Sequence, residues 1–263
     1  MSGDRSFWEK HYREHGSANQ SPFTEAKCKK ILELIPNNVK TILDVGCGGG
    51  SLMLYLKKER DVEVEGVDRS ASGVDHIVDN LGLKAQVGDV LDLKDIPSNA
   101  YDMVICSEVL EHIDVKYWKQ ALGELRRVSK KYVLTTNPYN EKLKYHHVIC
   151  PHCRTRFHPV GHIHSVDEGF VDKNVRPFLE NLEVHFSGSR YFTAIMYSDM
   201  MRIFGYQMVD TLDVRCPVCD SDVPFKKWSI PLKLINRGYL VSQVALGKLG
   251  VSGPATIICF AEV

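Results

Sequence analysis

Three groups of residues in this chain have the types and spacing to do chemistry. The first is Thr41-Ile-Leu-Asp-Val-Gly-Cys-Gly-Gly-Gly50, an apolar stretch that delivers one acid and then four glycines in five positions. Glycine accepts positive φ and has no Cβ to hold a ligand off the backbone, so Gly46, Gly48 and Gly50 suit a turn that hugs a nucleoside. The second is Ser107-Glu-Val-Leu-Glu-His-Ile113. There Glu108 and Glu111, three apart, would share a helical face beside His112, a set suited to proton transfer or to holding a divalent ion. The third is the pair Cys150-Pro-His-Cys153 and Cys216-Pro-Val-Cys219, with 62 residues between them. One CxxC turn brings two thiolates to an ion, and two such turns complete a tetrahedral zinc site with no open position. Redox dithiols are the competing reading, disfavoured by the lack of a secretory context. Cys28, Cys47, Cys106 and Cys259 read as packing residues.

The elements that must position these groups alternate along the chain. A strand at 41–45 feeds the glycine turn, and the amphipathic run from Ser51 opens a helix. A second strand, 62–67, ends at Asp68, 18 residues beyond Gly50, about where an acid meets ribose hydroxyls in nucleotide folds. Further strands at 84–89, 101–106 and 131–136 end at Asp89, Cys106 and Thr136. Such alternation predicts an α/β fold on a parallel sheet. A dinucleotide site is the rival use of a glycine-rich turn. Its third glycine would fall at Ser51, however, and Asp44 would oppose a pyrophosphate while attracting a cation.

The pattern Asp44-x-Gly46-x-Gly48-x-Gly50, with the ordered acids that follow, resembles the first motifs of class I S-adenosylmethionine-dependent methyltransferases, firmly over 38–137 and loosely beyond. The resemblance implies a Rossmann-like seven-stranded sheet of order 3-2-1-4-5-7-6, with strand six near 182–186 and an antiparallel strand seven near 255–261. It implies S-adenosylmethionine as cofactor, with Asp68 on the ribose, Asp89 on the adenine amino group, and further contacts from Cys47, Arg69, Val90 and Ser107. The ExxEH run resembles both quinone-type small-molecule O-methyltransferases and small-RNA terminal 2′-O-methyltransferases. In those, such residues can hold a divalent ion such as magnesium beside the acceptor oxygen. Gly161-His-Ile-His-Ser-Val-Asp-Glu168 resembles the family segment that follows, which makes His162 a fourth ligand. A metal-free base, His112, is the alternative.

Domain organisation is expected as a helical cover at 1–37, a cofactor-binding core at 38–137, a split zinc-stapled cap at 138–165 and 188–254, and core completion at 166–187 and 255–263. Phe7, Trp8, Tyr12 and Phe23 in the first segment either pack on the sheet or cover the substrate pocket. Lys plus Arg and Asp plus Glu number 33 each, a balance that gives no electrostatic footprint for nonspecific phosphate binding. That disfavours an RNA acceptor against a small, hydroxylated one such as a saccharide. A non-catalytic ligand-sensing or scaffold protein is the rival of another class. The N-terminus has no apolar signal core and no run approaches 18 apolar residues, so a cytoplasmic protein without a membrane partner is expected.

Overall fold

The computed structural model describes residues 8–9, 12–13, 22–188, 190–191, 214–223 and 252–263. Its centre is a seven-stranded sheet. Labelling only the sheet strands and the helices, the order is α1 (Pro22–Leu34), β1 (Thr41–Val45), α2 (Ser51–Glu59), β2 (Glu63–Asp68), α3 (Ala71–Leu81), β3 (Lys84–Val87), β4 (Tyr101–Ser107), α4 (Trp118–Val128), β5 (Ser129–Pro138), α5 (Leu143–His146), α6 (Glu168–Asn174), β6 (Glu183–Ser187) and β7 (Thr256–Glu262). Across the sheet the strands run β3-β2-β1-β4-β5-β7-β6, parallel from β3 to β5, with β7 antiparallel to both neighbours. Two-residue ladders outside the sheet interrupt the strand succession, Val148–Ile149 with Arg156–Phe157 and Arg190–Tyr191 with Ser252–Gly253, a detail the sequence expectation lacks. Among the described residues no helix is long and apolar enough to cross a membrane.

The strands are apolar on both faces because both are covered, and successive side chains point to opposite sides. Leu43, Val104, Cys106, Val133, Ile257 and Cys259 face one cluster, built with α4 through Trp118, Leu122 and Leu125 and with α6 through Val171. Their neighbours Ile42, Met103, Ile105, Leu134 and Ile258 face the other, built with α1, α2 and α3 through Ile31, Met53, Leu56 and Ile77. Helix α3 is capped at both ends: the Ser70 hydroxyl accepts from Gly73 N, and Gly82 closes the helix at φ 63.

The described residues fall into two compact units. One takes those within Met1–Glu141, Ile163–Gly188 and Thr256–Val263; the other takes those within Lys142–His162 and Ser189–Ala255. The division cuts through the stretch 138–165, expected as one piece of cap, because Asn140 N donates to Val166 O (2.7 Å) and Ile163 N to Glu111 O (2.9 Å). Most of the expected cap segment 188–254 lies outside the described residues, as does Phe7 and the side chain of Phe23.

Register at the entrance of the sheet is fixed by Asp102 on β4. Its Oδ2 accepts from Lys40 N (2.9 Å) and Thr41 N (3.0 Å), while its own N–H donates to Thr41 Oγ1 (3.0 Å). Partial burial opposes ionisation, but those amides and Lys130 outweigh it and hold the carboxyl below its ordinary value. Asp102→Ala should therefore lower unfolding free energy by about 1–3 kcal/mol at neutral pH. Because the folded-state pKa is depressed, this contribution is present above the unfolded carboxylate pKa and lost as pH falls through the folded value. Urea melts of both proteins should converge at low pH, and a gap that is constant with pH would contradict the ionic role.

Candidate active site

Asp44 is the penultimate residue of β1 and is 1% exposed. The turn that follows is closed against β2: Gly46 N and Cys47 N both donate to Val67 O, at 2.7 and 3.1 Å. Gly48 N donates to Asp68 Oδ2 and Ser70 N to Asp68 Oδ1, each at 2.8 Å. Gly46 and Gly48 hold φ at 81° and 55°. A Cβ on Gly46 would run into Val109, and one on Gly48 into the Tyr12 hydroxyl. Gly50, expected among the cofactor contacts, does not line the cavity. Its φ of 82° starts α2, and a Cβ there would meet Ile77 and Leu81 in the core.

A cavity of about 800 Å³ opens at the carboxyl ends of β1, β2 and β4, where the strand order reverses and open α/β sheets bind ligands. Asp44, Gly46, Cys47 and Gly48 form its floor, Asp68 and Arg69 the wall after β2, and Asp89 and Val90 the wall after β3. Ser107, Glu108 and His112 close it after β4. Burial pushes the Asp44 carboxyl up to about 7, with Asp68 adding to the rise and Lys27 opposing it. Its Oδ1 is buried without a hydrogen-bond partner among the described residues. Burial also raises Asp68, against the amide hydrogen bonds that favour its charge. Two oxygens that each accept one amide retain lone pairs for hydroxyl donors. Asp89 accepts from Leu91 N at 2.9 Å and pairs with Arg69 at 3.3 Å.

The expected helical face for Glu108 and Glu111 is not formed. Glu108 has φ 58, and only Leu110–His112 make a single 3₁₀ turn, so the two carboxyls separate. Glu108 turns to the cavity, where Oε1 accepts from Thr136 Oγ1 at 2.9 Å and lies 3.8 Å from Lys27 Nζ. The Thr136 hydroxyl is also 2.9 Å from Ser107 Oγ. Glu111 is fully buried off the cavity, with Oε2 accepting from Asn137 Nδ2 at 2.9 Å. Desolvation, reinforced by Glu108, drives its carboxyl well above the usual range. His112 stays on the cavity wall with Trp8 edge-on, ring centres 5.7 Å apart. His162 belongs to the second unit.

The sequence pattern does not single out Lys27, Glu9 or Thr136, whose roles arise from distant partners. Trp8 and Tyr12 line the cavity and stack at 5.7 Å. Glu9 between them accepts from Ala71 N (2.8 Å), Ser72 N (3.0 Å) and Ser70 Oγ (3.2 Å) at the start of α3. Burial raises its carboxyl, but these donors prevail and pull it to about 2.

In the second unit the two CPxC turns share one backbone plan. Cys150 N donates to Thr155 O and Arg154 N to Cys150 O, at 2.9 and 3.0 Å; Cys216 N donates to Ser221 O and Asp220 N to Cys216 O, at 3.0 and 2.9 Å. The residue after each second cysteine is left-handed, Arg154 at φ 64 and Asp220 at φ 52. The four sulfurs form one group, with Cys150 Sγ 3.6 Å from Cys219 Sγ and Cys153 Sγ 3.4 Å from Cys216 Sγ. A tetrahedral Zn–S length of about 2.3 Å places sulfurs about 3.8 Å apart, so the thiol group fits such an ion. The Thr155 hydroxyl and amide hold the Cys153 thiol down to about 6.

Residues 42–132 match the family model described as a methyltransferase domain. Over 90 residues the chain is 33% identical to phosphoethanolamine N-methyltransferase 3 of Arabidopsis thaliana, covering 33% of this chain and 18% of that protein. Over 92 residues it is 35% identical to a ubiquinone biosynthesis O-methyltransferase of Coxiella burnetii, covering 33% and 38%. The chain thus spans well under half of either relative. The crystal structure of a SAM-dependent methyltransferase from Archaeoglobus fulgidus superposes with a TM-score of 0.54 at 17% identity, covering 99% of this chain and 95% of that one, a likeness of fold. Residues 42–132 are accordingly a methyltransferase domain, carried on the Rossmann-like fold of S-adenosylmethionine-dependent methyltransferases.

Proposed function

We propose that this protein is an S-adenosylmethionine-dependent methyltransferase acting on an oxygen or nitrogen nucleophile of a small molecule, such as a saccharide or another hydroxylated metabolite. The observation that carries the reading is Asp44, a buried carboxylate with an unpartnered oxygen at a glycine turn of positive φ. A buried charge without a partner is costly, and a cationic nucleoside would relieve it. The cofactor supplies an activated methyl group on a sulfonium. Asp68 holds ribose hydroxyls, Asp89 meets the adenine, and Gly46 and Gly48 leave the backbone open to the nucleoside. The two relatives are named as N- and O-methyltransferases of small compounds, in keeping with an acceptor of that size.

His112 is the base that takes the acceptor proton, and the walls formed by Trp8, Ser107 and Glu108 orient the acceptor. Most of the rate comes from that positioning, worth about 7–11 kcal/mol, with a placed base adding roughly 10²- to 10⁴-fold. A magnesium ion on Glu108 and Glu111 is the weaker reading. Lys27 already faces Glu108, and burial favours the protonated form of Glu111, a poor ligand for a hard cation. The four thiols of Cys150, Cys153, Cys216 and Cys219 hold a structural zinc.

Three outcomes are expected. With its pKa near 7, Asp44 gains a proton as pH falls, so S-adenosylmethionine should bind about tenfold more weakly at pH 6 than at pH 8. Asp44→Asn should bind more weakly still and without that pH dependence; calorimetry at several pH values decides it, and tight NADH binding in place of S-adenosylmethionine would end the family reading. With a competent acceptor, His112→Ala should lose about 10²- to 10⁴-fold in kcat with little change in cofactor affinity, and titrated magnesium should not stimulate either protein. Metal analysis should find about one zinc per chain, with Cys216→Ser losing metal and thermal stability together. A metal-free protein of unchanged melting temperature would refute the zinc.

A further inference from the structure

The cavity wall contains three cations among the described residues, and two of them have close acidic partners. Arg69 lies 3.3 Å from Asp89 and Lys116 lies 3.3 Å from Asp114. The third, Lys27, projects from α1 with a side chain only 14% exposed. It makes no hydrogen bond among the described residues. Its nearest carboxylate, Glu108, is 3.8 Å away and already accepts from Thr136, and that distance lies outside hydrogen-bond range. An ammonium has three donors, and leaving them unmet in a half-closed pocket is unfavourable. The adjacent Cys28 is 2% exposed in the core, which fixes the turn of α1 that aims Lys27 inward.

The position of Lys27 matches the charge order of the methyl donor. Asp68 and Asp89 stand together after β2 and β3, whereas Asp44, Glu108 and Lys27 gather after β1 and β4. S-adenosylmethionine is a rod with a neutral adenosine at one end, a sulfonium in the middle and an α-ammonium and α-carboxylate at the other. With ribose hydroxyls on Asp68, the amino-acid end reaches the Lys27 side. A zwitterionic end needs one acid and one base, and the wall offers Asp44 with an unpartnered oxygen and Lys27 with unmet donors.

We infer that Lys27 anchors the α-carboxylate of the methyl donor through a charge-assisted hydrogen bond, an assignment that rests on the methyltransferase reading above. Lys27 is then a cofactor-selecting residue: it distinguishes nucleosides that carry the amino-acid arm from those that do not.

Calorimetry with two nucleosides tests this on the full chain. S-adenosylhomocysteine has the arm; 5′-methylthioadenosine has the same adenosine thioether without it. Lys27→Met should weaken S-adenosylhomocysteine roughly 10- to 100-fold, the range for a charge-assisted hydrogen bond, and change 5′-methylthioadenosine less than about twofold. Lys27→Arg keeps the charge and should restore most of the preference, which guards against a folding defect in the methionine variant. Equal losses for both ligands in Lys27→Met, or no loss for either, would overturn the anchor while leaving the methyltransferase reading intact. A wild-type protein that binds neither nucleoside would remove that reading, and the anchor with it.

Discussion

A parallel sheet covered on both faces has no polar outlet except at the ends of its strands, and the chemistry of this protein follows from that confinement. Side chains along β1, β4 and β5 alternate between two apolar clusters. The first residues free to be polar are those at the carboxyl ends. Asp44, Asp68, Ser107 and Thr136 all occupy such ends. The order reverses around β1, with β2 on one side and β4 on the other, so the loops that follow diverge and leave the cavity between them. The Asp68 clasp on Gly48 N and Ser70 N then keeps two of those loops from relaxing into the space.

Confinement also sorts the acids, which share a residue type but not a state. Asp68 is held by two amides and Asp89 by Arg69. Glu111, with one oxygen on Asn137 and no exposure, is driven toward its neutral form. Asp44 lies between these cases, poised near neutrality in a wall it shares with Lys27. A single cavity thereby offers permanent charge, suppressed charge and adjustable charge within one set of strand ends, a division that suits a cationic ligand carrying an anionic arm.

Much of this frame is legible in the sequence because it is written in local patterns. Strand ends announce themselves as an apolar run followed by an acid, which locates Asp44, Asp68 and Asp89, and paired CPxC turns bring four sulfurs together across 62 intervening residues. Other features have no local signature. Glu108 takes a left-handed conformation that its residue type does not suggest, and this separates it from Glu111 despite an i, i+3 spacing that reads as one helical face. Gly50 belongs to a glycine pattern that reads as ligand-facing, yet it makes room for Ile77 and Leu81 instead. Lys27 sits in the run Lys27-Cys-Lys-Lys30, where the sequence gives no reason to prefer one lysine, and Glu9 acquires its partners 61 to 63 residues away. In each instance the deciding neighbour is tertiary.

The placement of β7 between β5 and β6 has a consequence for synthesis on the ribosome. Strand β6 has no partner in the sheet other than β7, and 68 residues separate the two in the chain. At about 5–20 residues per second, β5 and β6 wait roughly 3–14 s before the strand that joins them emerges. During that interval β5 presents Val133 and Leu134 along an open edge, the kind of surface that recruits a second nascent chain or a chaperone. Yield in the cell is therefore governed by protection of that edge during translation, independently of how stable the finished sheet becomes.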